Sequence, residues 1–189
     1  FIDDDDLLFV RKLVKILKPT RAESYDSWIR MGWCLHNIDY RLLEDWVDFS
    51  KQSEKFVEGE CEKEWCDMDN EGLGMGTLFM WAREDNLAKF NQLSSENLRK
   101  CMADSLTLEP NDIAKVVYHM YKHDFVCYNA KKNYWYQFKD HRWKEIDDSV
   151  DLKKKFSTEV VNEYMKYRSH LSNKAYDVNN NGSAQDQKN

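Results

Sequence analysis

Between Lys131 and Lys144 the chain reads KKNYWYQFKDHRWK, with four aromatic residues in five positions, a fifth at Trp143, and basic side chains among them. Aromatic rings stack on bases and cationic side chains meet phosphates, so this mixture suits single-stranded nucleic acid held by stacking and charge rather than by base readout. The candidate binding residues are Lys131, Lys132, Trp135, Lys139, Arg142 and Lys144. Lys153, Lys154 and Lys155 join them, because they stand in the first turns of an expected helix, where cations oppose the macrodipole and so hint at a partner. Side chains alternate along a strand, so Tyr134, Tyr136 and Phe138 share one face while Trp135 and Gln137 take the other. If the three-residue face turns inward, Trp135 stands outside beside Lys131 and Lys132. The competing reading buries every aromatic and leaves the lysines to solubilise turns.

Other chemistries find less support. Cys34-x-His36 and Cys61-x4-Cys66 offer zinc-type ligands, but a thiol pair at that spacing on a helix lacks a tight knuckle and reads as apolar packing. Asp3 to Asp6 could chelate magnesium, yet at a helix start they read as a solvated, dipole-complementing cap. Gly72, Gly74 and Gly76 precede a helix without the Lys-Ser/Thr of a phosphate loop or a preceding strand, so they read as a connection. There is no GxSxG or HExxH, and His119, His123 and His141 flank apolar runs as surface residues. No catalytic, metal or cofactor residue is expected in this chain.

The 189 residues hold one sizeable domain or two small ones, and their net charge of −6 disfavours strong non-specific binding to DNA or to an anionic membrane by the chain as a whole. The charge is uneven. From Asp39 to Glu71 twelve acidic residues face four basic ones, whereas from Lys131 to Lys155 eight basic residues face five acidic ones. Leu7 to Leu17 is interrupted by Arg11, Lys12 and Lys15, so neither a membrane span nor a signal peptide is expected, and no membrane partner. Five scattered cysteines suit a reducing, intracellular setting. An opening on Phe1 and a polar close, NNNGSAQDQKN, suggest a piece of a longer polypeptide with a disordered tail.

Positioning these residues falls to two kinds of element. Apolar residues at helical spacing mark helices in DDDDLLFVRKLVKILKP, around Trp28, Met31 and Leu35, around Leu42, Trp46 and Phe49, around Trp65 and Met68, and around Leu78 and Trp81. Periodicity weakens from Lys89 to Pro110, except for a helix that Ser95 could cap. Ile113, Val116, Val117, Met120 and Tyr121 then form a helical stripe. FVCY, YWYQF and RWKEID, joined by polar turns, read as a three-stranded antiparallel meander, and Ser149 opens a last long helix. The expected fold is mostly α, a helical N-terminal module plus a small α+β module with the meander between helices. The expected divisions are a connector at 1–22, a helical module at 23–88, a linker at 89–110, the α+β module at 111–172 and a disordered tail at 173–189.

Two stretches resemble a known family. Trp28, Gly32 and Leu35 match a W-x-x-x-G-x-x-L helix, and Trp46, Phe49 and Ser50 a W-x-x-(F/W)-S helix. Trp65 and then Thr77, Leu78, Trp81 and Ala82 match the closing T-L-x-x-W-A helix. Together, over residues 23–88, they resemble the helical module after the polymerising domain of viral and phage primases. The segment from Asp112 to Tyr164, with its WYxFxxHRW hairpin, is similar to the region ahead of the superfamily 3 helicase core in poxvirus-type primase-helicases. The resemblance implies a parent in large DNA viruses that makes primers and unwinds DNA with an ATP-driven hexameric ring, using ATP and magnesium outside this segment. It places the parent in the host cytoplasm at viral replication sites. This chain has neither the strand-borne Asp-x-Asp with a histidine that marks a primase site nor GxxxxGK(S/T), so the implied role is a non-catalytic linker. Its implied partners are single-stranded DNA or primer-template, the flanking primase and helicase domains, and further copies of the parent. The alternative is an assembly or collar element without direct DNA contact.

Overall fold

The computed structural model describes residues 2–68, 72–122, 124–140, 142–147 and 149–185, with the side chains of the last helix described as far as Tyr176. His123 and His141, and the end of the expected tail, residues 186–189, lie outside the described residues. The chain forms two compact units, Phe1–Asn97 and Leu98–Asn189, and each is described by itself.

In the first unit, Asp3 accepts a hydrogen bond from the Asp6 N–H at 2.8 Å and so caps α1 (Asp4–Val14), the capping role expected of the aspartate run. Ser24 caps α2 (Tyr25–Ile38) through the Ser27 N–H in the same way. Then follow α3 (Leu43–Ser50), α4 (Glu60–Cys66) and the start of α5 (Met75–Asp104). The pieces are tied by charge as well as packing. Asp85 receives both Arg21 Nε, at 2.6 Å, and Arg21 Nη2, at 2.9 Å, together with the Lys18 N–H at 2.9 Å. Burial alone would raise the Asp85 carboxyl, but these donors outweigh it and hold the pKa below the usual range.

Helix α5 breaks at Asn86, whose backbone is non-helical (φ −155°, ψ 75°) and whose Oδ1 accepts the Lys89 N–H at 3.1 Å. Asn86 thus caps the second half, the role the sequence suggested for Ser95. Much of the stretch read as a linker is consequently helical: α5 runs to Asp104, a 3-10 turn covers Ser105–Thr107, and α6 (Pro110–Tyr121) begins on its proline.

The second unit places the meander between α6 and the last helices, which gives the mostly helical fold with a small α+β module that the sequence predicts. Strands β1 (Phe125–Asn129), β2 (Tyr134–Lys139) and β3 (Arg142–Asp147) pair antiparallel in the order β1-β2-β3. Asn133 and Asp140 adopt positive φ in the two turns (55° and 53°), a region these residue types tolerate. After α7 (Val150–Lys155) and a π turn (Phe156–Val160), α8 (Val161–Gln185) continues past residue 172, where the tail was expected to begin. Once the helix is nucleated, each further residue adds a backbone hydrogen bond, so this polar segment extends it without a core of its own. The core of this unit is small: Tyr121, Phe125 and Val160 are buried, with Val117, Met120, Trp135, Ile146, Leu152 and Tyr164 packed against them. No helix among the described residues is long and apolar enough to cross a membrane.

Candidate nucleic-acid interface

The register settles which sheet face is covered. Phe125 opposes Gln137, Cys127 opposes Trp135, and Trp135 opposes Ile146, so these residues share the face that packs on Tyr121 and Val160. Trp135 is therefore half-buried on the inner face, the reverse of the outward position entertained from the sequence. The reason is local: β1 starts four residues after Tyr121, and Phe125 folds back on it with ring centroids 6.2 Å apart. Alternation then carries Trp135 and Ile146 inward with Phe125.

The other face is open and aromatic. Tyr134, Tyr136 and Phe138 from β2 meet Tyr128 from β1 and Trp143 from β3. Tyr128 lies 5.6 Å from Tyr134 in a stacked arrangement and 5.0 Å from Tyr136, and Phe138 lies 5.3 Å from Trp143. Tyr128 is 49% exposed and Trp143 47%. Carboxylates share the face: in the register Asp147 opposes Tyr134, and Glu145 opposes Tyr136 and accepts a hydrogen bond from the Tyr128 hydroxyl at 3.3 Å.

The predicted cations do not all gather here. Lys131 and Lys132 are exposed in the β1–β2 turn, and Lys132 Nζ stands 5.9 Å from the centre of the Tyr134 ring. Lys139 and Arg142 are exposed neighbours at the opposite end of the strands, where alternation roots them on the Trp135 side. Lys144 falls on the Trp135 side and pairs with Asp140 at 2.5 Å. Lys155 is half-buried, paired with Glu159 at 2.8 Å and poised over the Tyr121 ring at 5.4 Å, whereas Lys153 and Lys154 are exposed on α7. Two pairs of cations therefore bracket the strands. Tyr128, which sequence reading passed over, belongs to the open face. The signal for it was the alternation of FVCY, in which Phe125 and Tyr128 take opposite faces.

The motif residues of the first unit have a different job. Trp28, Leu35, Trp46, Phe49, Trp65, Leu78, Trp81 and Ala82 all lie in one core. The Trp28 Nε1–H donates to Ser50 Oγ at 2.7 Å, and that hydroxyl donates to the Trp46 carbonyl at 2.7 Å. The pattern is a packing signature. Cys34 is buried and its thiol is pushed up to about 12, so it stays protonated and donates to the Gly74 carbonyl at 3.2 Å. The Leu73 carbonyl accepts from Asn37 Nδ2 at 2.7 Å, so the glycine segment is anchored on α2 as a connection. Burial also raises the Cys61 thiol. Among the described residues, no three His, Cys, Asp or Glu side chains converge as a metal site would need. A thiol reagent should modify the exposed Cys66 and Cys127 in the folded chain and reach Cys34 and Cys61 only on unfolding. Mass spectrometry of the modified chain, with and without denaturant, checks this.

Comparison with known proteins agrees with the helical core. Residues 10–82 match the family model described as primase C terminal 2 (PriCT-2). The chain is 35% identical over 166 residues, 86% of its length, to a protein of Acanthamoeba polyphaga mimivirus named "Putative helicase". It is 28% identical over 154 residues, 79% of its length, to one of the same description from Frog virus 3 (isolate Goorha). Over 188 residues, 89% of its length, it is 24% identical to another from Invertebrate iridescent virus 3. The matches span 17%, 16% and 20% of those proteins. The resemblance to a viral primase-helicase region, read from the tryptophan motifs and the hairpin, is borne out.

Proposed function

We propose that this chain, a viral primase-helicase-type region, has no catalytic centre of its own, holds single-stranded DNA on the open face of its sheet, and couples primase to an ATP-driven superfamily 3 helicase ring. In this reading ATP and magnesium are bound by flanking parts of the parent. The observation that carries the proposal is the grouping of Tyr128, Tyr134, Tyr136, Phe138 and Trp143 on one exposed face, with Lys131 and Lys132 at one end and Lys139 and Arg142 at the other. Exposed rings gain from covering their faces, and bases of any sequence supply a matching one. Strand β2 has six residues, so at about 3.3 Å each the platform is long enough for roughly two or three bases. Glu145 repels phosphate and keeps binding modest, as a strand that must slide requires.

The test is anisotropy of a labelled single-stranded oligothymidine titrated with the 189-residue chain at low and physiological salt. Tyr134→Ala and Trp143→Ala should each weaken binding by about 5- to 150-fold, the equivalent of about 1–3 kcal/mol per stacked base. Lys131→Ala/Lys132→Ala should lower the salt slope by about 1.4 if both lysines meet phosphate. Trp135→Phe should leave affinity unchanged. Absence of binding at low salt, or undiminished wild-type affinity in the Tyr134→Ala and Trp143→Ala variants, sinks the reading.

The assembly reading keeps one observation of its own: along α8, Met165 is 55% exposed and Tyr176 68%, an apolar edge a second copy could cover. Sedimentation of the chain at micromolar concentration with and without DNA separates the two, since an assembly element associates in both cases.

A further inference from the structure

On the open sheet face, Glu145 is the residue that stacking and phosphate contact do not account for. It is exposed, it opposes Tyr136 across β2 and β3, and it stands two residues beyond Trp143 along β3, so alternation keeps it on the same face as that indole. We propose, resting on the DNA reading above, that Glu145 selects guanine: its carboxylate accepts the N1–H and the 2-amino group of a guanine stacked on Trp143.

A carboxylate accepts hydrogen bonds and donates none, so the base it meets must bring the protons. The four bases differ in what their Watson–Crick edges bring, and an unpaired strand leaves those edges open. Guanine presents two adjacent N–H donors, which match the two oxygens of one carboxylate in a bidentate, charge-assisted pair. Adenine and cytosine each present one amino group beside a ring nitrogen whose lone pair faces the carboxylate. Thymine presents one N–H between two carbonyls, and both carbonyls repel the approaching oxygens. The expected order is guanine first and thymine last.

Position and preorganisation support the assignment. Same-face neighbours along a strand stand about 7 Å apart, so a base lying over Trp143 turns an edge toward Glu145 within reach of its two methylenes. Tyr128 crosses β2, its ring 5.0 Å from that of Tyr136, and its hydroxyl donates to Glu145 Oε1 at 3.3 Å. That bond holds the carboxylate over the platform, while Oε2 has no hydrogen-bond partner among the described residues. Desolvation, and after it the Glu145 charge, push the Tyr128 phenol above its ordinary range, so it stays protonated and keeps donating. A carboxylate among DNA-facing rings costs affinity at every phosphate, and the base contact offsets that cost for one base above the others.

The test is anisotropy of the 189-residue chain with labelled oligothymidines whose central base is replaced by guanine, hypoxanthine, adenine or cytosine. A length of about five nucleotides matches the platform, so the central base dominates, and a single guanine cannot build four-stranded DNA. Guanine should bind at least about fivefold tighter than thymine, the lower end of what a bidentate base contact supplies. Hypoxanthine is guanine without its 2-amino group, and it should lose most of that gain. Glu145→Gln keeps the size of the side chain and removes the charge, so it should tighten thymine binding and cut the guanine-to-thymine ratio below about twofold. Tyr128→Phe, a change in the positioning residue, should narrow the ratio part of the way. Phosphate repulsion alone gives a different result, because Glu145→Gln then tightens every oligonucleotide by one factor and leaves the ratio intact. That result overturns the proposal, as does guanine binding no tighter than thymine, hypoxanthine equal to guanine, or adenine level with guanine, which is the mark of stacking strength. In each of those cases thymine still binds and the DNA reading stands, whereas no binding by any of the oligonucleotides at low salt takes both down.

Discussion

Trp46→Ala is expected to destabilise the first unit by about 3–5 kcal/mol, a large share of the roughly 5–15 kcal/mol that a domain has in total. The ring is fully buried, stacked on Trp28 at 4.8 Å and tilted against Trp65 at 5.7 Å. Its Nε1 has no hydrogen-bond partner, so what the substitution removes is packing alone. The neighbouring chain has been shaped around it. A Cβ at Gly32 would stand 2.5 Å from Trp46 Cζ2, 2.7 Å from Cη2 and 2.6 Å from Met68 Cε. Gly32→Ala therefore gains about 1 kcal/mol of helix propensity and loses about 1–3 kcal/mol or more to overpacking, a net cost because the indole is wedged between two other rings. Trp46→Phe removes the atoms that clash, so in the Gly32→Ala background it should cost less than it does alone. Urea unfolding followed by tryptophan fluorescence reports the first unit, which holds Trp28, Trp33, Trp46, Trp65 and Trp81 of the seven tryptophans. Additive costs for Trp46→Phe and Gly32→Ala, or a loss below about 1 kcal/mol for Trp46→Ala, would contradict this account of the motif.

The same residues show why the two units differ in legibility. The tryptophan and glycine spacings of the first unit were readable because helical periodicity projects Trp28, Gly32 and Leu35 to one side, and that side is the core. In the hairpin, periodicity of two divides the aromatics correctly but assigns no direction, since both faces carry rings. Direction came from Phe125, whose short tether to Tyr121 is a tertiary fact. Lys144 and Lys155 were drawn off by Asp140 and Glu159, partners that a count of charges does not reveal. The break in α5 was hidden for a related reason: Asn86 sits in an otherwise helical sequence, and its capping geometry shows only once the chain bends.

Asp39→Asn is expected to destabilise the first unit by roughly 2–3 kcal/mol at neutral pH, because it removes the charge from a buried carboxylate that organises two ends of the unit. Arg41 Nε and Nη2 donate to Asp39 at 2.8 and 2.9 Å, and the Arg41 N–H adds a third bond at 3.0 Å. The same guanidinium reaches the Ile2 carbonyl and Asp4, each at 2.7 Å, so the start of the chain is held against the α2–α3 turn. Arg41 retains partial access to water, which keeps the cost below that of a fully buried broken pair. The Arg41 hydrogen bonds hold the Asp39 carboxyl well below the ordinary carboxylate range, against the opposing effect of burial. A carboxyl depressed in the folded state contributes stability that is present above its unfolded pKa of about 3.9 and disappears as pH falls through its folded value. Asp85 acts in the same direction, while Asp45, which burial raises in spite of Arg11, acts in the opposite one. Since those groups are common to both proteins, the gap in urea midpoint between wild type and Asp39→Asn isolates Asp39. It should be constant from neutral pH to about pH 5 and narrow below about pH 4. A gap that stays constant to about pH 2 would mean that the carboxylate's charge contributes nothing and that only the shape of the hydrogen-bonded turn matters.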